Sequence, residues 1–139
     1  MENLKGIKAL ISEYISASEA LLLKAGPMDG FLGLGNDPRK NSIHTDCYDR
    51  MEKTLSDAAA SGISEEEAYA VCAYILRAEK ELKCCEMAKA MLTAFQGTIV
   101  PLIPLVSGEH KAELLQWLTG EYPRWTRVPV QEKIIKMLK

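Results

Sequence analysis

Residues 64–95 constrain the fold more than any other part of this chain. Ala68, Val71, Ile75, Ala78, Leu82, Cys85, Ala88, Leu92 and Phe95 recur at steps of three and four, the spacing of one helical face. Ser64 and Glu67 stand as a capping box at its start, and Glu65 and Glu66 favour the positive end of the helix dipole. A single helix of 32 residues would run about 48 Å at 1.5 Å per residue. A globule of 139 residues has a radius of gyration near 14 Å. So the segment bends or breaks, near Lys83–Cys85, or part of its apolar face meets a second chain.

The neighbouring segments repeat the pattern. Over 3–25, Leu4, Ile7, Ile11, Tyr14, Ser18, Leu21 and Ala25 form a stripe that Gly26-Pro27 ends. Residues 43–60 bury Ile43, Cys47, Met51, Leu55 and Ala58 behind an Asn41 or Ser42 cap, and Ser61-Gly62 closes them. Residues 108–119 carry Leu114, Leu115 and Leu118, with Gly120 as the stop, and a last helix starts at Pro129. TIVPLIPLV at 98–106 is apolar, but Pro101 and Pro104 would each remove a ladder donor from a strand, so a buried helical turn or a connector is expected. No hairpin, repeat or low-complexity segment appears. The expected fold is all-α: one domain over 1–139, a compact bundle of about five helices with one long central helix and a Gly/Pro-rich loop after the first.

Composition narrows the class without naming an activity. Apolar residues are 47% and charged residues 26%, as in ordinary globular proteins, and the net charge of −2 argues against a general polyanion binder. Charged residues interrupt every N-terminal apolar run, so no signal peptide is read. Ala90–Gly108 is uncharged and long enough to span a bilayer, but its prolines and polar residues make it a poor span. The cytoplasm is the expected location, with no membrane partner. Cys47, Cys72, Cys84 and Cys85 are expected as reduced thiols. Cys72 and Cys85 would lie about 20 Å apart on a continuous helix, beyond the roughly 7 Å a disulfide allows.

Residues 26–42 form the one long irregular stretch, and such loops are often functional. Gly30, Gly33 and Gly35, followed by Asn36-Asp37-Pro38-Arg39-Lys40, precede a helix start where free amides and cations would suit a phosphate or carboxylate. Neither a dinucleotide fingerprint nor a P-loop is present. The plainer alternative is a turn-rich loop in which Arg39 bridges carboxylates and Phe31, Leu32 and Leu34 pin the loop to the core. The expected ligand-binding residues are Asp37, Arg39, Lys40, His44 and Tyr48. Histidine ordinarily titrates near neutrality, so His44 would be the natural general acid or base. His44 and Cys47, at i and i+3, could share a metal ion, with Cys84, Cys85 or His110 to complete a zinc site. The alternative is a helix-start histidine bonded to backbone or Asp, beside a core cysteine.

Cys84-Cys85 among lysines could form a redox pair, or simply one buried residue and one boundary thiol. Carboxylate-bridged di-metal chemistry is effectively excluded, because neither His44 nor His110 follows a Glu by three positions. Residues 124–139 hold five basic residues and one acid, with Trp125 between Arg124 and Arg127, which leaves −6 on residues 1–123. This tail could touch an acidic partner or merely complement a helix dipole, and nucleic acid is not the expected partner.

Two functions are carried forward. One is a non-enzymatic protein-interaction or self-association module, with a homodimer formed through the exposed part of 64–95 and no cofactor. The other is an anion-, small-molecule- or metal-binding protein, or an enzyme acting on such a ligand, with its site at 29–49.

Overall fold

Six α-helices carry the chain in the computed structural model, which describes residues 1–26, 29 and 35–139. They are α1 (Glu2–Lys24), α2 (Ile43–Ala60), α3 (Glu65–Glu81), α4 (Glu86–Phe95), α5 (Gly108–Glu121) and α6 (Pro129–Leu138). Short 3-10 turns at Pro38–Lys40, Gln96–Ile99, Ile103–Leu105 and Arg124–Thr126 join them, and no strand occurs among the described residues. Gly30, Gly33, Phe31, Leu32 and Leu34 lie outside the described residues.

The single long helix expected over 64–95 is two helices. Leu82 leaves α3 with extended backbone, φ −92° and ψ 140°, and Cys85 caps α4 at φ −68° and ψ 161°. Neither Gly nor Pro marks the spot. The break is fixed from outside: the Glu19 carboxylate of α1 accepts a hydrogen bond from the Cys85 amide at 2.8 Å. Breaking the rod puts both halves on one core, so Ala68, Val71, Ile75, Ala88, Leu92 and Phe95 are all fully buried in the same cluster. An unbroken rod would have carried half of that apolar face away from it, at about 25 cal/mol per Å² left in water.

The other elements follow their stripes. Ile7, Ile11 and Tyr14 of α1 pack on Cys47, Met51 and Leu55 of α2 within this cluster. The stretch 98–106 winds as 3-10 turns, with Ile99, Leu102, Ile103 and Val106 buried. Gly120 does not stop α5, which continues to Glu121 and ends at Tyr122. The capping box is half formed. Ser64 accepts from the Glu67 amide at 3.1 Å, but the Glu67 carboxylate turns away to α1, where it takes the amides of Asn3 (2.9 Å) and Leu4 (3.4 Å). Burial would raise the Glu67 carboxyl; the hydrogen bonds from Asn3 and Leu4 hold it below its usual range.

Two amides join the core to α6. Gln96 and Gln131 are buried, and Gln131 Nε2 donates to Gln96 Oε1 at 3.1 Å. Gln96 Nε2 donates to the Leu76 carbonyl, while Gln131 Oε1 accepts from the Val128 amide.

Candidate functional site

His44 enters the core because it continues the α2 stripe, one step before Cys47 and two before Met51. It is 5% exposed. Its Nε2 lies 2.9 Å from the Pro38 carbonyl and its Nδ1 lies 2.6 Å from the Tyr14 hydroxyl. A carbonyl only accepts, so Nε2 carries the proton, and in the neutral ring Nδ1 accepts from Tyr14. Burial pushes the Tyr14 phenol up to about 12, which keeps it a donor. The Tyr14 ring also meets Phe95 edge-on at 5.1 Å between centroids. Ser18, one turn along α1, is fully buried, and its hydroxyl has no hydrogen-bond partner among the described residues.

Cys47 shares the His44 face. Burial pushes its thiol up to about 11, far from a reactive thiolate, and Sγ sits 4.0 Å from the Leu10 carbonyl. Both ring nitrogens of His44 are engaged, so ligating a metal would cost one of its two hydrogen bonds. Among the described residues no three His, Cys, Asp or Glu side chains converge as a metal site would require. Cys84 and Cys85 stand at the break between α3 and α4. His110 is held on α5, its Nδ1 2.8 Å from Glu65 and its ring stacked on Tyr69 at 3.8 Å. All four cysteines are free.

Asp37 and Arg39 face one another. Arg39 Nε donates to Asp37 Oδ1 at 3.0 Å and its Nη2 donates to Oδ2 at 2.9 Å, while the Arg39 amide takes Oδ1 as well. These bonds hold the Asp37 carboxyl below its usual range and raise Arg39. The guanidinium fork that would grip an anion is therefore closed on the single carboxylate of Asp37 rather than bridging two. Asp37 and Lys40 both line an open concavity of about 520 Å³, with Lys24, Asn36, Pro38 and Asn41. Asp29 braces its rim by accepting from the amides of Gly26 and Asn36. Gly35, at φ +68°, leaves no room for a Cβ against Asp29.

Tyr48 belongs to another surface. It borders an apolar groove of about 480 Å³ with Ala90, Thr93 and Ala94 of α4 and Val128, Pro129 and Val130 at the start of α6. Beneath the groove Gly97 lets α2 and α6 close in: a Cβ there would lie 3.1 Å from the Tyr48 hydroxyl and 3.2 Å from Val130 Cγ2. Burial raises the Tyr48 phenol, and the nearby charges of Glu52 and Asp49 push the same way. Three residues before Val128, Trp125 stands 86% exposed on the 3-10 turn Arg124–Thr126.

Of the five expected ligand residues, Asp37 and Lys40 thus line one concavity, Arg39 is paired with Asp37, His44 lies buried behind Pro38 of the same wall, and Tyr48 borders a separate groove. Three features of this region had no local signal: the Tyr14–His44–Pro38 relay, the paired glutamines and the groove itself. Tyr14 read only as one apolar stripe position, and Gln131 was not singled out. No helix among the described residues is long and apolar enough to cross a membrane. Comparison with family models, curated proteins and solved structures finds no match.

Proposed function

We propose that this chain is a non-enzymatic interaction module that docks another polypeptide through the α2–α4–α6 groove and Trp125. The observation that carries the reading is Trp125, 86% exposed three residues before Val128, which lines an apolar groove. A tryptophan held in water on a structured turn loses the hydrophobic gain of its large ring, and Trp, Tyr and Arg dominate binding hot spots. Arg124 precedes it directly and Tyr48 borders the groove, while Arg127 is held by the Tyr122 carbonyl and Glu132. The groove also uses the outer side of α4, which falls within the 64–95 segment expected to associate. Four free thiols fit a reducing cytoplasm.

The 29–49 ligand site receives less support. Arg39 is paired with Asp37, and His44 is bonded at both nitrogens.

The test places the photocrosslinking residue p-benzoylphenylalanine at position 125 in the expressing cell. The reading expects a discrete adduct whose added mass is that of one polypeptide. The same residue at the exposed α5 position Glu109 should give none. Absence of an adduct at 125, or equal labelling from both positions, overturns the reading.

A further inference from the structure

We infer that the polypeptide docked in this groove is a second copy of the same chain, related by a two-fold axis running along the groove. The inference rests on the interaction reading above and names its partner. Its support is the opposite charge of the two walls. On the α2 wall, Asp49 and Glu52 are exposed beside Tyr48. On the α6 wall, Lys133 is exposed three positions after Val130, hence on the same side of the helix. Between them the surface is mostly apolar: Ala90, Ala94, Val128, Pro129 and Val130, with Thr93 as its polar member.

A two-fold axis along a groove exchanges its walls. The acidic wall of one copy then faces the basic wall of the other, and both ion-pair sets form at once. A partner of single sign would be repelled by one wall or the other. The same symmetry counts Trp125 twice, once from each copy, and each indole removes about 150–250 Å² of its own surface from water. The whole-chain asymmetry agrees, with +4 on residues 124–139 against −6 on residues 1–123.

Sedimentation of the purified full chain, from low micromolar to hundreds of micromolar, tests this. The inference expects a reversible shift to twice the mass of the chain. Trp125→Ala should weaken association at least tenfold with an unchanged helical circular dichroism spectrum, since the side chain is exposed. Lys133→Glu and Glu52→Lys should each weaken association, and the two together should restore it. Restoration separates wall pairing from general charge effects.

A strict monomer at all concentrations, or a dimer indifferent to Trp125→Ala and to the charge exchange, overturns the inference. A monomer that still crosslinks from position 125 to a different protein sinks the second-copy assignment alone. A monomer with no crosslink sinks the interaction reading as well.

Discussion

Tyr14→Phe removes one oxygen atom from the core and tests the logic of the buried relay. The phenyl ring keeps its edge contact with Phe95, so packing is nearly conserved. What changes is His44, whose Nδ1 loses the 2.6 Å bond from the Tyr14 hydroxyl while Nε2 stays on Pro38. His44 is 5% exposed and Tyr14 is 3% exposed, so water does not readily replace the lost donor. A buried acceptor left unpaired costs about 1–3 kcal/mol. For a chain of this size each kcal/mol lowers the melting temperature by about 3 °C, so Tyr14→Phe should melt about 3–10 °C lower. His44→Leu orphans the Tyr14 hydroxyl instead and should be destabilised on a similar scale. In the double variant neither partner is orphaned. The two penalties should therefore not add, with a coupling of about 1 kcal/mol or more. Urea denaturation of the four proteins, followed by circular dichroism, measures this cycle. A Tyr14→Phe protein melting within about 1 °C of the parent, or strictly additive losses, would refute the assignment of donor and acceptor.

Three further outcomes are expected. Glu19→Ala should destabilise the chain by about 1 kcal/mol, the scale of a lost helix cap, and speed amide exchange in the first turn of α4; unchanged exchange there would mean that Glu19 does not hold the break. Ellman titration of the native protein at pH 8 should react quickly with no more than Cys84 and Cys85, because burial pushes Cys47 to about 11 and Cys72 to about 12; fast labelling of all four thiols would contradict this. The hydrogen bond from His110 to Glu65 raises the imidazole above its ordinary value and contributes to lowering Glu65, behind the bond from the Ser107 amide. A raised histidine stabilises the fold fully below its unfolded value of about 6.5 and progressively less as pH climbs through its folded value. The melting-temperature gap between the parent and His110→Ala should accordingly be larger at pH 6 than at pH 9, and a gap that widens with pH would reverse the sign.

Legibility differed between elements for physical reasons. The stripes of α1, α2 and α6 were plain because each buries one face of a continuous helix, and periodicity records that directly. The break at 82–85 was legible only through length. Its local residues favour helix, and the agent that fixes it, Glu19, comes from 66 positions away. Gly120 misled because a glycine permits a helix to stop without requiring it, and here packing of Leu118 and Tyr122 carries the turn onward. The carboxylate of Glu67 misled in the same way, since a capping side chain takes whichever free amides lie nearest in space. At the candidate site, sequence placed His44 and Cys47 on one face but could not supply Tyr14 or the Pro38 carbonyl as partners. Asp37 and Lys40 line one concavity against α1 while Tyr48 faces α4 and the start of α6, a separation set by tertiary packing that short-range spacing does not encode.

The facing glutamines of the core and the last helix settle a question that oily packing leaves open. Apolar side chains tolerate a helix sliding or rolling by one position, because grease has no direction. Amides do not. If α6 slipped by one residue, Val130 or Glu132 would arrive opposite Gln96 and strand its carbonyl oxygen in a dry interior. The Gln96–Gln131 handshake is thus a ratchet tooth, admitting a single axial setting of the carboxy-terminal rod and holding the lip of the groove in one place.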